Sequence, residues 1–361
     1  MKILYLGDAK VDSTSFHRAQ ALQRIGHTVV HYDPRTIVRQ RFQNLLMGHF
    51  HYRTGFRLVV SKVERWLAQT VLPEVGGGVD IIWVNSGQFF SPAAVRLLKE
   101  LRAPVILYNN DDPTGDRDPG CWHQLLRALP EYDLCVSLRH STVREMVARG
   151  VPRALRVWMS YDEVLHAPPG PDEKLDDIFH ADAVFVGTWM RHENRHLLLR
   201  KLLDSNVKVR IWGGRWNKCG DTVLLQECWT GKWATGRDYV QAVAGAKIAL
   251  GLLSKGNRDL HTRRSVEIPF AGGVLCAERT SEHSLMYKEN EEAVFWSTPE
   301  ECVEKCRQLV ADPIKREAVR RAGMARVRAM RLGNEDVCKA ILKEAFDPTQ
   351  IGIGEVLPTL A

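Results

Sequence analysis

The stretch Asn257–Cys276 combines basic residues, carboxylates and glycines in a pattern that suits phosphate chemistry. It follows an apolar run, Ile248–Leu253, that predicts a strand. The stretch itself predicts a loop, a short helix from about Thr262, a Gly-Gly turn and a further strand. Arg263 and Arg264 crowd the start of the helix. Because a helix N-terminus exposes unpaired N–H groups and the positive end of the helix dipole, this stretch predicts a phosphate site.

Two carboxylates, Asp259 and Glu267, lie in the same stretch. Glu267 follows Arg264 by about one helical turn, so the two side chains can share a face and reach one ligand. A phosphate held by amides and an arginine, with a carboxylate for a sugar hydroxyl, describes a nucleotide-sugar site. The alternative is a surface loop before a crossover helix on which Arg264 and Glu267 form a salt bridge.

Acidic residues also follow a predicted strand in the first half of the chain. Asn109–Pro113 comes directly after Val105–Tyr108, and the carboxyl ends of strands in open α/β sheets face the ligand crevice. Asp111 and Asp112 are therefore placed for substrate contact, or they start an Asp-Pro turn before the next helix.

Three histidines, His17, His261 and His283, are candidates for acid–base chemistry. Each is open to a structural or solvated role as well. His261 is of most interest because it lies within Asn257–Cys276.

The composition limits the class of protein. A length of 361 residues indicates two domains, and the apolar content of 45% and charged content of 26% are globular values. No apolar run reaches the roughly 18–20 residues that span a bilayer, and the N-terminus predicts a first strand rather than a signal peptide. We therefore expect a cytoplasmic protein. The net charge of +7 is compatible with nucleic acid, an anionic membrane face or a phosphorylated ligand.

The eight cysteines are scattered, with no CxxC pair and no histidine at zinc spacing. This pattern favours reduced, mostly buried thiols over a metal site.

Strand-like apolar runs alternate with amphipathic segments through both halves, which predicts parallel sheets with helices on both faces. The turn after the first strand lacks a GxGxxG fingerprint, which disfavours NAD in the usual crevice. A charged, Pro- and Gly-rich stretch over 166–180 predicts a linker. We expect a first domain over 1–165 and a second over 181–330. We expect residues 331–361 to form a C-terminal helix, which can cross back to the first domain, and a poorly ordered tail from Ile351.

Residues 35–65 carry a dense set of basic side chains. From Phe56 onward, apolar residues recur at i, i+3 and i+4 spacing, which predicts an amphipathic helix. One interpretation is peripheral contact with an anionic membrane at its inner face. The other is a helix packed on its own domain with a solvated basic face. The basic residues of the segment are Arg35, Arg39, Arg41, Arg53, Arg57, Lys62 and Arg65.

Several stretches resemble motifs of group-1-type glycosyltransferases in the CgeB-like (spore maturation protein-like) branch. Arg264-Ser-Val-Glu267, followed by Ala271-Gly-Gly-Val-Leu, is similar to the family's R-x-[FV]-E…[AC]-G-G segment. Ala183–Arg191 resembles the F-V-G-x…R opening of its second domain, and Val209–Trp216 resembles its v-x-i-y-G-x-x-W segment. The stretch from Cys302 to Gly323 resembles its closing helices. In the first half the resemblance rests on Asn110–Pro113 and the overall pattern.

The resemblance implies a GT-B fold, in which two Rossmann-like α/β domains face each other across a cleft. The C-terminal domain would bind the nucleotide-sugar donor and the N-terminal domain the acceptor. Glu267 matches the carboxylate that holds the ribose hydroxyls. Asp259 stands where related enzymes have the first Glu of an E-x7-E pair, near the donor sugar.

The resemblance also implies contacts to the diphosphate and the base. Arg191 and Arg264 would neutralise the diphosphate, with Arg263 beside them at the helix start. Gly187 would let the backbone approach the phosphates, and Trp212 and Gly213 would lie near the base.

The expected activity is glycosyl transfer from a UDP-, GDP- or dTDP-linked sugar to an acceptor hydroxyl on a glycan, a protein or a lipid-linked molecule. We expect it to need no metal or other cofactor. No D-x-D motif follows a strand in the second half, and cations with a helix N-terminus can stabilise a leaving diphosphate. The resemblance implies retention of configuration.

The candidate catalytic residues are Arg264, Asp112, Asp259 and His261. An inverting reaction would need a base, for which Asp112, then Asp111, then Asp12 are the candidates.

Two other classes of function remain open. One is a GT-B protein that binds a nucleotide-sugar without transfer, or an epimerase on the same scaffold. The other is a nucleic-acid-binding α/β protein. A basic stripe with stacking aromatics, the expected sign of such a protein, is missing from the sequence.

Overall fold

The computed structural model describes residues 1–39, 45–118, 120–347 and 352–359. The chain forms two compact units. Unit 1 comprises Met1–Trp158, Gly256–Arg258 and Asn334–Leu357. Unit 2 comprises Met159–Lys255, Asp259–Gly333 and Pro358–Ala361. The predicted linker over 166–180 lies within unit 2. Arg41, from the basic segment, lies outside the described residues.

Most strands form where aliphatic and aromatic residues make short, buried runs, as in the predicted pattern for parallel sheets, whereas the edge strands of unit 1 are partly exposed. In the described part of the chain the strands are β1 (Lys2–Leu6), β2 (Thr28–Tyr32), β3 (Ile81–Asn85), β4 (Val105–Tyr108), β5 (Leu134–Ser137), β6 (Arg153–Arg156), β7 (Ala181–Val186), β8 (Val209–Trp212), β9 (Ala246–Gly251), β10 (Leu275–Glu278), β11 (Val294–Trp296) and β12 (Gly352–Glu355).

Both sheets are parallel. The sheet of unit 1 has the order β12-β6-β5-β4-β3-β1-β2, and that of unit 2 has the order β11-β10-β9-β7-β8. β1 pairs with β3 from Ile3 opposite Ile81, and β7 pairs with β8 from Ala183 opposite Val209. Each unit is therefore an open, Rossmann-like α/β sheet, as the alternating pattern predicted.

Helices connect the strands. They are α1 (Thr14–Arg24), α2 (Arg35–Arg39), α3 (Leu45–Arg53), α4 (Val60–Trp66), α5 (Leu72–Val75), α6 (Pro92–Lys99), α7 (His123–Ala128), α8 (His140–Ala148), α9 (Arg195–Asp204), α10 (Thr222–Glu227), α11 (Gly236–Gly245), α12 (Arg264–Phe270), α13 (Ser281–Met286), α14 (Pro299–Ala311), α15 (Pro313–Ala329) and α16 (Asn334–Phe346). None of these helices is both long and apolar enough to cross a membrane.

Local sequence accounts for several helix starts. The Ser13 hydroxyl accepts a hydrogen bond from the Phe16 N–H at 3.0 Å, and Ser91 caps α6, which has a proline at its first position. Thr298 caps α14 and Asp312 caps α15, and each cap is followed by a proline in the first turn of its helix.

The C-terminal segment returns to unit 1. Helix α16 packs on α1, and Arg24 donates to Glu335 at 2.6 Å. β12 then pairs with β6, with Gly352 opposite Arg153. The prediction of a poorly ordered tail from Ile351 is therefore wrong for Gly352–Glu355. Glu355 forms an ion pair with Arg156, which is only 1% exposed, so a buried cation holds the strand in place.

Each sheet has its own apolar core. In unit 1, Trp83 stacks between Tyr5 and Tyr108 with ring centroids about 6 Å apart. In unit 2, helices α9 and α14 pack on the sheet, and the core between them includes Cys302 and Cys306. The cysteines are all free thiols, and Cys219 is the only one that is not buried among those described. A fully buried aliphatic side chain contributes about 1.5–3 kcal/mol, so these cores hold each unit together.

Candidate donor site

Helix α12 begins directly at the carboxyl edge of the sheet of unit 2. It starts at Arg264, two residues later than the sequence predicted, after the loop that follows β9. The Arg264 Nε–H donates to the carbonyl oxygen of Val186, the last residue of β7, at 3.3 Å. The side chain at the head of α12 is thereby tied to a strand end, where open α/β sheets bind ligands.

Arg264 is held on three sides. Its guanidinium forms an ion pair with Glu267, one turn along α12, and lies over the ring of Tyr239 at 4.2 Å. Tyr239 comes from α11 and is buried. Cation–π contact and ion pairing fix the guanidinium plane, while 24% of the side chain remains exposed. The sequence predicted that Arg264 and Glu267 share a face and reach one ligand, with a salt bridge between them as the alternative. The structure contains the salt bridge.

Glu267 is 1% exposed and has three cationic or proton-donating neighbours. Besides Arg264, Arg263 Nη1 and His166 Nε2 each lie 3.6 Å from Oε1. Burial pushes the pKa of Glu267 upward, but Arg264, Arg263 and His166 outweigh it and bring the pKa to about 2. The carboxylate is therefore ionised at neutral pH and can only accept hydrogen bonds.

His166 faces this carboxylate with its N–H. Its Nδ1 accepts from the Asp162 N–H at 2.8 Å, so the proton of the neutral ring is on Nε2, toward Glu267. Burial lowers the pKa of His166, which keeps the ring neutral. The sequence reasoning missed both His166 and Tyr239. His166 lies in the stretch that was predicted to be a linker. Tyr239 lies on a predicted helix, and no nearby sequence pattern indicates its contact with Arg264.

The loops after β7 and β8 approach each other at two glycines. The Gly187 N–H donates to the Trp212 carbonyl at 2.9 Å, and Gly213 has a φ of +130°. A Cβ on Gly213 would collide with the carbonyl of Gly187. The indole N–H groups of Trp216 and Trp229 donate to the carbonyls of Gly187 and Gly213, both at 2.9 Å. The glycines permit the close approach and the tryptophans hold it.

Trp212 itself does not offer a stacking surface. It is buried, and its ring stacks on Phe179 with centroids 5.2 Å apart. Next to Gly213, however, Trp233 is 58% exposed and lies against Gly214. The Lys232 carbonyl accepts from the Gly213 N–H at 2.8 Å, which fixes the start of the Trp233 loop. The sequence reasoning did not single out Trp233, whose exposure depends on the fold of this loop.

Arg191 and Asp259 complete the predicted set in unit 2. Arg191 is exposed in the loop after β7, and it forms no ion pair with any described residue. Asp259 is buried in the loop before α12. Its assignment to the donor sugar stays a prediction.

The candidate histidines are engaged in structural hydrogen bonds. The Met159 N–H donates to Nε2 of His261 at 3.0 Å, so Nδ1 carries the proton and donates to Glu282. His283 donates from Nδ1 to the Glu278 carbonyl at 2.6 Å and lies 2.7 Å from the Ser265 hydroxyl through Nε2. His17 donates to the Val11 carbonyl at 2.7 Å. All three rings are buried, which favours positioning roles.

Asp112 lies in unit 1, in the loop after β4. Arg258 donates to both its carboxylate oxygens at 2.6 and 2.7 Å, and the Thr142 hydroxyl donates at 2.8 Å. Burial pushes the pKa of Asp112 upward, but the hydrogen bonds from Arg258 and Thr142 outweigh it and lower the pKa. A carboxylate so engaged is a weak base, so Asp112 could act as one only after Arg258 releases it.

The chain was compared with protein families and with proteins of curated function. Residues 191–332 match a family model described as glycosyl transferase-like. No protein of curated function matches the chain significantly in sequence.

The solved structures similar to this chain include HepE from Anabaena in complex with UDP, at 12% identity and a TM-score of 0.62, covering 95% of this chain and 99% of that one. Sucrose-phosphate synthase from Thermosynechococcus elongatus is similar at 12% identity and a TM-score of 0.63, covering 95% and 98%. AviGT4, a glycosyltransferase involved in avilamycin A biosynthesis, is similar at 12% identity and a TM-score of 0.56, covering 96% and 97%.

The predicted fold class is confirmed: two parallel-sheet, Rossmann-like domains match GT-B glycosyltransferase structures. The CgeB-like branch is not distinguished by these matches and stays a prediction. The identities are low, so the likeness concerns the fold.

Proposed function

We propose that this protein is a glycosyltransferase that uses a nucleotide-sugar donor. The observation that carries the proposal is the buried, ionised carboxylate of Glu267 at the head of α12, flanked by Arg264, Arg263 and His166. Two neighbouring ribose hydroxyls can donate to such a carboxylate, since it accepts through two oxygens and stays charged. The fold match and the glycosyl transferase-like segment support the same function.

In this proposal unit 2 is the donor domain and unit 1 the acceptor domain. Within unit 2, Trp233 would stack on the base beside Gly213 and Gly214. Gly187 would bring its backbone close to the phosphates. HepE, a structural neighbour, binds UDP, so a uridine diphosphate sugar is the first donor to test, ahead of GDP- and dTDP-linked sugars.

The barrier to transfer lies in the departure of the nucleoside diphosphate, on which negative charge builds as the glycosidic bond breaks. Arg264 is pre-positioned by Glu267 and Tyr239. Arg263 directly precedes it and is partly exposed, and Arg191 is exposed in the loop after β7. Fixed cations can stabilise the leaving group by several kcal/mol without reorganisation. We therefore propose transfer that needs no metal, with retention of configuration as the family resemblance implies.

A turnover experiment tests the proposal. A thermal-shift screen of UDP-, GDP- and dTDP-sugars identifies the donor, because a ligand that binds the native state raises stability by mass action. The donor is then incubated with glycan, protein and lipid-linked acceptors, and both free diphosphate and glycosylated product are measured. Addition of EDTA tests metal independence, and the anomeric configuration of the product tests retention.

We expect product and diphosphate in equal amounts, with Glu267→Gln strongly impaired and Glu304→Gln, an exposed change on α14, unaffected. Diphosphate release without glycosylated product, or sugar conversion without an acceptor, would favour the binding-protein or epimerase alternatives.

A further inference from the structure

Unit 1 contains a groove of about 650 Å³ that none of the predicted site residues line. It runs between α4, α6 and α7 and has a basic lining. The polar side chains around it are Arg57, Glu64, Ser91, Arg96, His123 and Arg127.

The groove lies beside the first turns of α6 and α7. Helix α6 follows β3 and α7 follows β4, so the starts of both helices lie at the carboxyl ends of those strands. The lining includes Ser91 at the start of α6 and His123 at the start of α7. This is the edge at which a parallel α/β sheet binds its ligands.

The positive charges of the groove are only partly compensated. Arg96 forms an ion pair with Glu131, and Glu64 accepts a hydrogen bond from the Ser91 hydroxyl at 2.5 Å. Arg57 and Arg127 form no ion pair with a carboxylate in the described part of the chain.

These two uncompensated arginines act on one histidine. Arg57 Nη2 donates to His123 Nε2 at 3.2 Å, so the histidine is an acceptor there and neutral. Burial, then the charges of Arg57 and Arg127, lower the pKa of His123. Two guanidinium groups therefore converge on a neutral ring, an arrangement that an entering anion would stabilise.

We propose that this groove binds the phosphate group of the acceptor, an inference that rests on the proposed glycosyltransferase function. Arg57 and Arg127 would hold the phosphate oxygens, because guanidinium groups pair with phosphate in a two-pronged geometry. Arg96 stands beside them, and it would exchange part of its contact with Glu131. Val60, Pro92 and Ala93 form an apolar wall for the organic part of the acceptor. A volume of about 650 Å³ suits a phosphorylated small molecule or a lipid headgroup.

The test measures phosphate binding by wild type, by Arg57→Ala/Arg127→Ala and by the matched control Arg144→Ala/Arg149→Ala. The control removes the same charge from exposed positions on and next to α8. The soluble probe is glycerol 3-phosphate, followed by calorimetry. The membrane probe is a vesicle of phosphatidylcholine and phosphatidic acid, compared with phosphatidylcholine alone by co-sedimentation. Thermal melting of each variant checks the fold.

We expect the groove variant to lose at least about tenfold in affinity for one of the two probes, with the control unchanged, because it removes charge-assisted hydrogen bonds to the phosphate. Binding of glycerol 3-phosphate would identify a soluble acceptor, and binding of the acidic vesicles alone would identify a lipid phosphate. Absence of binding by wild type, or an equal loss in the control, would overturn the proposal.

UDP titration of the same variants separates this proposal from the donor assignment. The groove variant should bind UDP as wild type does. If Glu267→Gln bound UDP normally while the groove variant lost glycerol 3-phosphate, the donor assignment would fail and the phosphate groove would stand.

Discussion

The two candidate sites are assembled in different ways. In unit 2 the carboxylate of Glu267 meets Arg263 and Arg264, which lie four and three positions before it at the start of one helix. In unit 1 the groove gathers Arg57, Arg96 and Arg127 from segments that are far apart in sequence. A site built on one helix leaves a periodic pattern that can be read from the sequence, whereas a site built across helices emerges only from their packing.

The same contrast extends to the support of each unit. Unit 1 closes its sheet with β12, a strand from the far end of the chain that Arg156 and Glu355 hold in place. In unit 2 the loops after β7 and β8 approach each other closely at Gly187 and Gly213. The ion pair in unit 1 joins distant parts of the chain, whereas this contact in unit 2 joins the loops of two neighbouring strands.

The largest change is expected from breaking the long-range support of unit 1. Glu355→Gln removes the carboxylate that pairs with the buried guanidinium of Arg156, which costs about 3 kcal/mol of unfolding free energy. Chemical denaturation followed by a unit 1 signal measures the loss. Glu100→Gln, an exposed change at the end of α6, is the matched control. Equal stability of the two variants would mean that β12 is not needed for unit 1.

Substitution of Gly213 disturbs the close approach of the loops in unit 2. We expect its loss of unfolding free energy to be slightly smaller than that of Glu355→Gln. Gly213→Ala places a Cβ against the Gly187 carbonyl in a left-handed conformation, and we expect a cost of about 2–3 kcal/mol. Gly220→Ala is the control, since Gly220 has a φ of +78° and open space around its Cα, so it bears only the conformational cost of about 1 kcal/mol. Similar melting temperatures for the two variants would show that the close approach of the loops is dispensable.

His283 is a buried polar group near α12 that we do not assign to the ligand site. Its contribution to stability can be recognised by its dependence on pH. Burial lowers the pKa of His283 to about 4, whereas an unfolded histidine titrates near 6.5. Its neutral form stabilises the native state above pH 6.5, and that contribution falls as the pH drops from 6.5 toward 4, because the unfolded chain then binds the extra proton. The loss reaches about 2 kcal/mol at pH 5.

The measurement is the unfolding free energy of wild type and His283→Gln across this pH range. The unfolding free energy of His283→Gln should change less steeply with pH than that of wild type, and the difference should correspond to at most one bound proton. Parallel slopes would mean that His283 is not buried in its neutral form. Glu267, with a native pKa of about 2, loses its own contribution only below about pH 5, where the unfolded carboxyl takes up a proton, and this loss is common to wild type and His283→Gln.

The smallest effect is expected from the side chain proposed to stack on the nucleotide base. Trp233→Ala removes the exposed ring beside Gly214, and nucleotide affinity should fall by about 1–2 kcal/mol, since stacking of an aromatic side chain on a base contributes on that order. Fluorescence titration or calorimetry with UDP gives the affinity. Leu285→Ala, an exposed apolar change on α13 of the same unit, should have no effect. Unchanged affinity in both would place the base elsewhere in unit 2.

Much of the fold could be predicted from the sequence because the inner strands are short, buried apolar runs and several helices carry their own caps. The start of α14 at Thr298 and the pair Arg264 and Glu267 depend on neighbours within a few residues. The position of strand β12 depends instead on an ion pair between Arg156 and Glu355, which no local sequence pattern indicates. The same reason hides His166, which reaches Glu267 from a stretch that resembles a linker.

Trp212 illustrates a further limit. The family resemblance placed it near the base, and it does stand at the end of β8, but its ring is covered by Phe179. The direction in which a side chain faces alternates along a strand, and the sequence did not tell which face the second sheet would cover at this point. The exposed indole on that loop belongs to Trp233.

The measurement that tests the central claim most directly is a calorimetric titration of UDP into wild type, Glu267→Gln and Glu304→Gln. We predict that wild type and Glu304→Gln bind UDP alike and that Glu267→Gln binds about 100-fold more weakly, because the charged acceptor of the ribose hydroxyls is gone. Equal affinity of Glu267→Gln and wild type, with all three proteins folded, would contradict the assignment of the donor site to the head of α12.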